Sequence, residues 1–585
     1  MSKTVQIKIN QFSGGISDNP RKESGSEFIV AKHFDIFSDP QKLTPYRSLE
    51  TDTNDGSTAT GMKQYFVRDF LYASASSKLY GLGQTGAGLT KIVYKADATT
   101  GNWTLPASSE GNGAAQNGCL VEYKDYLWGF QGTTQVFKWG ILSGAPSITN
   151  SAGTVGTIYS AVTAIAINAA GTNYGVNNIL TLTGGSNTAT CIVTSVNGTG
   201  GVTGVTLIEG GSAYTTGSKA TTVNTGSGSG CTITVSTIGN TSATITSVAQ
   251  GIIALDDNLY LPYNNTIVRV YPSGTVQDQA LKLPTNFKIT SLTNYGKYLA
   301  IACAPISTFN GVSKVFLWNL YSSDVQEVID WGEGELRILE TIEGYLVGVT
   351  DRYLNSSTGA GKGSMIIQTY ADGSPQVVKE VFTAKLTGKT IPLSKTVKNN
   401  RLFWSAKIFT NTAGTEYNEG IWSFGRKNAN YPFALSLDFI DENVNTNGIQ
   451  AIGSAGNFFF VAHSNDGSID KTDDTSVFTF SSIYETQIFD FEEVEHDKRL
   501  ESLKVSFAKL TTGQAISAKV KVDDALTWTT IGTYSTVDSL SRTFVNIEAT
   551  DENFPSGREF KFQLISTGGA EIVSYTLEAT PLSNI

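Results

Sequence analysis

Cys119-Leu-Val-Glu-Tyr-Lys-Asp-Tyr-Leu-Trp128, running on to Val136-Phe-Lys-Trp139, decides the fold. An apolar strand leads into a polar Lys-Asp turn, an aromatic-rich strand returns, and a third strand follows ending in aromatics. Short apolar runs bounded by turn residues read as strands, and two of them around a two-residue polar turn read as a hairpin. The same sentence recurs along the chain. Gly61-Met-Lys-Gln-Tyr-Phe-Val-Arg-Asp-Phe-Leu-Tyr72 is an early variant. Ile253–Tyr260, Ile289–Ala300, Ile338–Val347, Thr396–Trp404 and Ile449–Val461 are further copies, each followed by a third strand. A four-stranded sheet per copy, at spacings of roughly 35–60 residues, is the signature of radially repeated β-architecture. The reading is a β-propeller-like core over residues 55–149 and 246–475, with six to eight blades. A stack of β-sandwiches built from similar hairpins is the alternative.

Composition agrees with an all-β chain. Of 585 residues, 59 are Gly, and charged residues reach only 16%, against a usual ~25%. Short strands joined by turns have this makeup. The formal net charge of −10 argues against binding nucleic acid through its phosphates, which needs a basic surface. It is compatible with a channel through which DNA slides without sticking. The N-terminal Met1-Ser-Lys-Thr-Val-Gln-Ile-Lys-Ile-Asn10 has no apolar stretch of the secretory kind. No apolar run approaches the ~18 residues of a membrane span.

Residues 150–245 carry the cleanest internal repeat. Val162-Thr-Ala-Ile-Ala-Ile167 matches Val202-Thr-Gly-Val-Thr-Leu207 at an offset of 40, and Gly171-Thr-Asn-Tyr174 matches Gly211-Ser-Ala-Tyr214. Cys191 matches Cys231 at the same offset. Both copies alternate apolar and polar residues, so one small inserted β-domain is expected, placed in a loop that tolerates it. Residues 480–585 read differently. Lys498–Phe507, Ala518–Val522, Trp528–Ile531, Phe544–Ile547, Glu559–Leu564 and Ile572–Leu577 are strands at short spacing, which predicts a C-terminal β-sandwich. Asp490-Phe-Glu-Glu-Val-Glu495 is an acidic bridge into it, and residues 1–54 read as an extended interface segment.

The search for chemistry predicts no enzyme: no catalytic, cofactor-binding or metal-binding residue is assigned. His33, His463 and His496 share no ligand spacing. Cys119, Cys191, Cys231 and Cys303 form no CxxC pair and read as buried apolar residues. Gly81-Leu-Gly83 lacks the helix of a dinucleotide site. Ser464-Asn-Asp-Gly-Ser-Ile-Asp470 lacks the bidentate Glu and flanking helices of a calcium loop. Glu333 with Glu335, and Asp256 with Asp257, could pair for glycoside cleavage, though acidic pairs in turns are commonplace. Trp128, Trp139, Trp318, Trp404 and Trp422 could stack on sugars, but their repeated positions fit packing between sheets.

Phe12-Ser-Gly-Gly-Ile-Ser-Asp-Asn-Pro-Arg21, continuing through Ala31-Lys-His-Phe-Asp-Ile36 to Leu43-Thr-Pro-Tyr-Arg47, resembles the N-termini of tail tubular or nozzle proteins of short-tailed bacteriophages. The match covers about 40 residues, with Asp18-Asn-Pro20 where the family pattern has Gln-Gln-Pro. The 40-residue repeat is similar to small β-modules inserted in phage virion proteins. The resemblance implies a structural virion protein made in the host cytoplasm. Its partners would be copies of itself in a ring, commonly six, a tail adaptor or portal protein, and tail fibres. DNA would pass through the lumen without specific binding, and acidic loops would line it. A tail adhesin that binds host surface glycans is the alternative function.

Overall fold

In the computed structural model, every described element of regular structure is a β-strand. The structure describes residues 4–17, 26–52, 65–85, 90–95, 97, 102–104, 118–131, 135–143, 153–157, 162–185, 189–209, 214–238, 249–274, 276–306, 311–353, 362–384, 395–409, 417–440, 449–463, 469–472, 478, 481–491, 495–546 and 555–582. The chain divides into two compact units, residues 1–55 with 341–585 and residues 56–340. This division cuts across the range that the sequence reads as one propeller-like core.

The 56–340 unit contains four antiparallel four-stranded meanders among the described residues. They begin at Tyr65–Ala73, Gly118–Tyr123, Ile252–Ile253 and Phe287–Tyr295, and in each the strands lie side by side in chain order. The decisive stretch becomes the second meander: Gly118–Tyr123 pairs with Tyr126–Gln131, and that strand pairs with Gln135–Gly140. Lys124 and Asp125 both take left-handed backbone angles, φ 49° and 67°. Two such residues in succession make the tight turn whose twist matches that of the flanking strands, and Asp tolerates it. One aromatic contact occurs in both halves of the unit. Tyr80 of the first meander meets Trp139 of the second edge-on at 5.7 Å, and Tyr260 of the third meets Trp318 of the fourth at 5.6 Å. Each pair sits in a buried cluster that joins two neighbouring sheets.

The repeat between the second and third meanders forms a sheet of its own. Its order is Val162–Thr172, Ser229–Ile238, Gly217–Val223, Ile179–Leu182, Thr190–Val196, Val202–Glu209. The first three strands in chain order belong to one copy and the last three to the other. Exchanging the copies reverses the order and leaves it unchanged, so the sheet has an internal two-fold. The two end strands come back against each other, and the sheet is nearly a closed barrel. Its filling is apolar: Leu180, Leu182, Cys191, Val193, Ile233 and Val235 are fully buried or nearly so.

The other unit is closed by its N-terminal segment. Tyr345–Tyr353, Gly363–Tyr370 and Gln376–Thr383 form one meander. Lys395–Lys398, Arg401–Phe409, Tyr417–Gly425 and Ala434–Ile440 form the next, where Asn399 and Asn400 make the two-residue turn at φ 51° and 57°. Ile449–Ala455, Phe458–His463 and Ile469–Thr472 form a third, completed by Leu49–Thr51. Val30–Lys32 lies between Ala434–Ile440 and Ser482–Glu485, which welds two sheets into one of nine strands. Val5–Ile9 pairs with Ile572–Pro581. Residues 1–54, expected as an interface segment, are therefore spent inside this unit as far as they are described. Val5–Ile9 alternates apolar and polar residues, but Val30–Lys32 and Leu49–Thr51 are only three residues long, and the partners of all three strands lie more than 400 residues away.

The C-terminal strands fall in two sheets. Ile572–Pro581, Lys498–Phe507 and Ser541–Asn546 belong to one, with Val5–Ile9. Phe560–Thr567, Ala515–Val522 and Thr529–Tyr534 belong to the nine-stranded sheet. One core serves both: Leu503, Val505, Ile516, Phe560, Phe562, Leu577, Phe12, Phe28 and Phe34 are all buried in it.

Candidate functional site

The positions that could carry chemistry are occupied by structural work. Glu335 is held by Lys288 at 3.2 Å and by Arg337, while Glu333 faces solvent. Asp256 accepts from the Tyr260 hydroxyl and the Asn258 side-chain amide, both at 2.7 Å. Its neighbour Asp257 pairs with Lys124. Neither carboxylate pair points together at an open site. Trp128, Trp139, Trp318, Trp404 and Trp422 are at most 2% exposed, so none offers a ring face to a sugar. Gly81 lies in a strand, where an added Cβ would press on Val67 and Val93. The four cysteines are buried and unbridged. Burial pushes the Cys191 thiol up to about 11, which makes it inert at neutral pH.

The three histidines do not meet. His463 is buried against Asp470 at 3.0 Å, and His496 is exposed. Ser464–Ser468, most of the calcium-like loop, lies outside the described residues, as do residues 492–494 of the acidic bridge and Asp18–Arg21 of the N-terminal motif. Among the described residues, no three His, Cys, Asp or Glu side chains gather as a metal site. Among the described residues, no helix is long and apolar enough to cross a membrane.

His33 belongs to a buried polar cluster in the N-terminal seam that sequence reasoning missed. It follows Val30–Lys32 at φ 59° and is 1% exposed. Its Nε2 accepts from the Ile440 backbone N–H at 3.3 Å, and its carbonyl accepts from Tyr46 N–H and Ser482 Oγ. Burial, with Lys32 nearby, lowers its pKa to about 4. On the same strand as Ile440, Asp438 is fully buried, 3.3 Å from the Tyr46 hydroxyl and 3.6 Å from Arg401. Burial raises its pKa to about 6, against the pull of Arg401. The glycine pair of the N-terminal motif has a cause in the same seam. Gly15, at φ 76°, lies so close to Ala434 and Leu435 that a Cβ would come within 2.8 Å of their backbone or side chain. Phe12 is fully buried, edge-on to Tyr484 at 5.6 Å. Tyr46 of the Leu43–Arg47 stretch packs on Phe439 at 4.5 Å.

The candidate site is a hollow of about 780 Å³ at one end of the inserted barrel. Three loops meet there, supplying Asn173, Tyr174 and Gly175, then Gly198, Thr199 and Gly200, then Ser227, Gly228 and Ser229. Backbone bonds fix the first loop to the second: Asn173 N–H donates to Thr199 C=O and Tyr174 N–H to Gly200 C=O at 2.8 Å. The third loop is fixed by Ser227 Oγ, which donates to Asn173 C=O at 3.2 Å. Tyr174 is the floor; it is 4% exposed, and its hydroxyl accepts from the Cys231 backbone N–H at 3.1 Å. Gly228, at φ 137°, packs against that ring so closely that a Cβ would lie 2.4 Å from it. No charged side chain lines the hollow. The repeat signalled the module and its Gly-x-x-Tyr motif, but nothing in the sequence signalled a hollow built largely from backbone and small side chains. In the second copy, residues 210–213 lie outside the described residues; Tyr214 is buried and donates to Leu182 C=O at 2.7 Å.

No protein-family model matches this chain, and no curated protein matches it. Solved structures resemble it slightly. A virginiamycin B lyase from Staphylococcus aureus is 12% identical with a TM-score of 0.28, covering 72% of this chain and 97% of its own. An exo-β-1,3-galactanase from Phanerochaete chrysosporium is 10% identical with a TM-score of 0.25, covering 92% and 100%. The WD40 domain of Neurospora crassa Pan2 is 9% identical with a TM-score of 0.26, covering 62% and 90%. Likenesses this slight fix neither the fold nor an activity.

Proposed function

We propose that this chain is a non-enzymatic structural protein of a bacteriophage tail, one subunit of the nozzle or tube ring through which DNA leaves the particle. The observation that carries the reading is the N-terminal motif, Phe12–Ser17 with Leu43–Arg47, whose Phe, Gly pair and Tyr are built into a buried seam rather than left as a loose leader. We read the four-stranded meanders as propeller blades and the two C-terminal sheets as a sandwich. Completion of the meander Ile449–Thr472 by Leu49–Thr51 supports the first reading, because joining an early strand to a late sheet is how a ring of blades hides its last edge. The engaged carboxylates and buried tryptophans support a structural role over a hydrolytic one.

The role is then mechanical. Identical subunits, six in the reading favoured here, make a ring beneath an adaptor or portal, with tail fibres attached at the side. A net charge of −10 lets DNA pass without adhering. Light scattering with negative-stain imaging, on the chain alone and with its adaptor, tests the reading. Rings of about six subunits with an axial hole are expected in at least one of the two samples. A chain that stays monomeric or trimeric in both would overturn the reading and put the adhesin in its place.

A further inference from the structure

We propose that the hollow of the inserted barrel binds a neutral, hydroxyl-rich ligand, a saccharide. The inference does not rest on the tail reading; each can fail without the other. The hollow is a shallow concavity of about 780 Å³, open to solvent along one side, wide enough for a short oligosaccharide lying along the surface rather than an enclosed pocket.

The lining selects the chemistry. With no Lys, Arg, Asp or Glu among the nine lining residues, an anion or cation would lose its hydration without finding a counter-charge. An apolar ligand has little to gain, because the one large side chain in the lining, Tyr174, is already buried within the module. What the hollow offers is hydroxyls, an amide and backbone polar groups at the meeting of three loops. Among the described residues, the Asn173 amide and the Ser229 hydroxyl make no hydrogen bond to the protein, and both are exposed. A ligand rich in hydroxyls can exchange its water for such groups one for one, which is the condition for polar recognition without net desolvation cost.

The hollow is also held in shape before any ligand arrives. The three loops are tied by the bonds of Asn173, Tyr174 and Ser227. A further anchor is Asn197, whose Oδ1 accepts from Thr199 N–H, Thr199 Oγ1 and Gly201 N–H at 3.0, 2.9 and 2.8 Å. Preorganised loops on a rigid barrel lose little freedom on binding.

One lining residue allows the hollow to be blocked without disturbing the fold. A Cβ at Gly198 would meet nothing within 4 Å, and its backbone lies outside the left-handed region. Saturation-transfer difference NMR on the full-length chain is the test. The neutral probes are methyl α-mannoside, methyl β-galactoside, maltose, lactose and chitobiose, and sialyllactose is the charged control. Transfer to at least one neutral probe is expected, reduced about tenfold or more in affinity by Gly198→Leu at unchanged thermal stability. Asn173→Gly, which keeps the positive φ and removes the amide, is expected to weaken the same probe. Response confined to disaccharides assigns a segment of a polymer, and equal response to the methyl glycosides assigns a free sugar; both support the proposal. It is overturned by no transfer to any neutral probe, by transfer to sialyllactose alone, or by binding that survives Gly198→Leu.

Discussion

The inserted barrel and the N-terminal seam solve the same problem, closing a β-sheet, in opposite ways. The barrel closes within residues 162–238, from two copies of one pattern, around a core of aliphatic side chains, Tyr174, Tyr214 and two cysteines. The seam closes its unit by bringing Val5–Ile9, Val30–Lys32 and Leu49–Thr51 to partners near residues 575, 437 with 484, and 471. It buries His33 and Asp438 as it does so, with Arg401 half-buried beside the carboxylate. Local closure costs little chain entropy, whereas closure across more than 400 residues waits until the distant partner strands have been made. The price of long-range closure is buried polarity, because short strands threaded between sheets carry whatever side chains their turns require.

The largest expected effect separates the two directly. Residues 158–240 expressed alone unfold cooperatively, whereas the chain lacking residues 1–51 loses the cooperative transition of the unit they complete; circular dichroism melts of both proteins decide. A failure of the short piece to fold, or a full second transition in the truncated chain, removes the contrast. Single substitutions grade it more finely. Phe12→Ala empties a fully buried ring position and is expected to cost about 3–5 kcal/mol in denaturant titration.

Arg401→Met comes next. It leaves Asp438 buried without its cation, a loss of about 3–5 kcal/mol at pH 8, and less at pH 5, where the carboxyl takes a proton instead. A loss equal at both pH values would show that Asp438 is not charged in the folded chain.

The pH response sharpens the same point. The pKa of His33 is lowered from 6.5 to about 4, so its contribution is present above pH 6.5 and is lost as pH falls towards 4. That of Asp438 is raised from 3.8 to about 6, so the folded chain takes this proton first and gains stability as pH falls from 6. Each shift corresponds to about 3 kcal/mol, and with opposite signs they nearly offset. Stability of the intact seam is therefore expected to vary little between pH 6 and 4 on their account. His33→Asn, which tolerates the left-handed backbone, turns that into a gain on acidification relative to the parent, and Asp438→Asn turns it into a loss. Parallel profiles for the three proteins would contradict the assignment.

The smallest effect belongs to the barrel. Tyr174→Phe removes the acceptor for a buried backbone N–H at Cys231 and is expected to cost about 1–3 kcal/mol, confined to the barrel's own transition in hydrogen exchange. Spread of the protection loss into residues 341–585 would show that the barrel is not locally closed.

The contrast also explains what the sequence reveals. The hairpins are legible because a two-residue turn needs particular residues, such as Lys124-Asp125 and Asn399-Asn400, between apolar strands. The barrel is legible because its pattern is written twice. The pairing of Val30–Lys32 is not, since three residues carry no period and the partner strand, Ala434–Ile440, reads as complete without them. His33 looks like an isolated histidine until folding sets it beside Ile440, two residues along the strand from Asp438. The hollow is silent for another reason: glycines, serines and backbone atoms make it, and these residues signal turns wherever they occur.

The proposed ring role places this chain in the tail of the particle. Immunogold labelling with antibodies raised against residues 162–238, applied to particles purified from a lysate that contains the chain, locates it. Gold at the single tail vertex of each particle, below the portal, is the predicted result. Particles that carry no gold while the chain stays soluble in the lysate would contradict it.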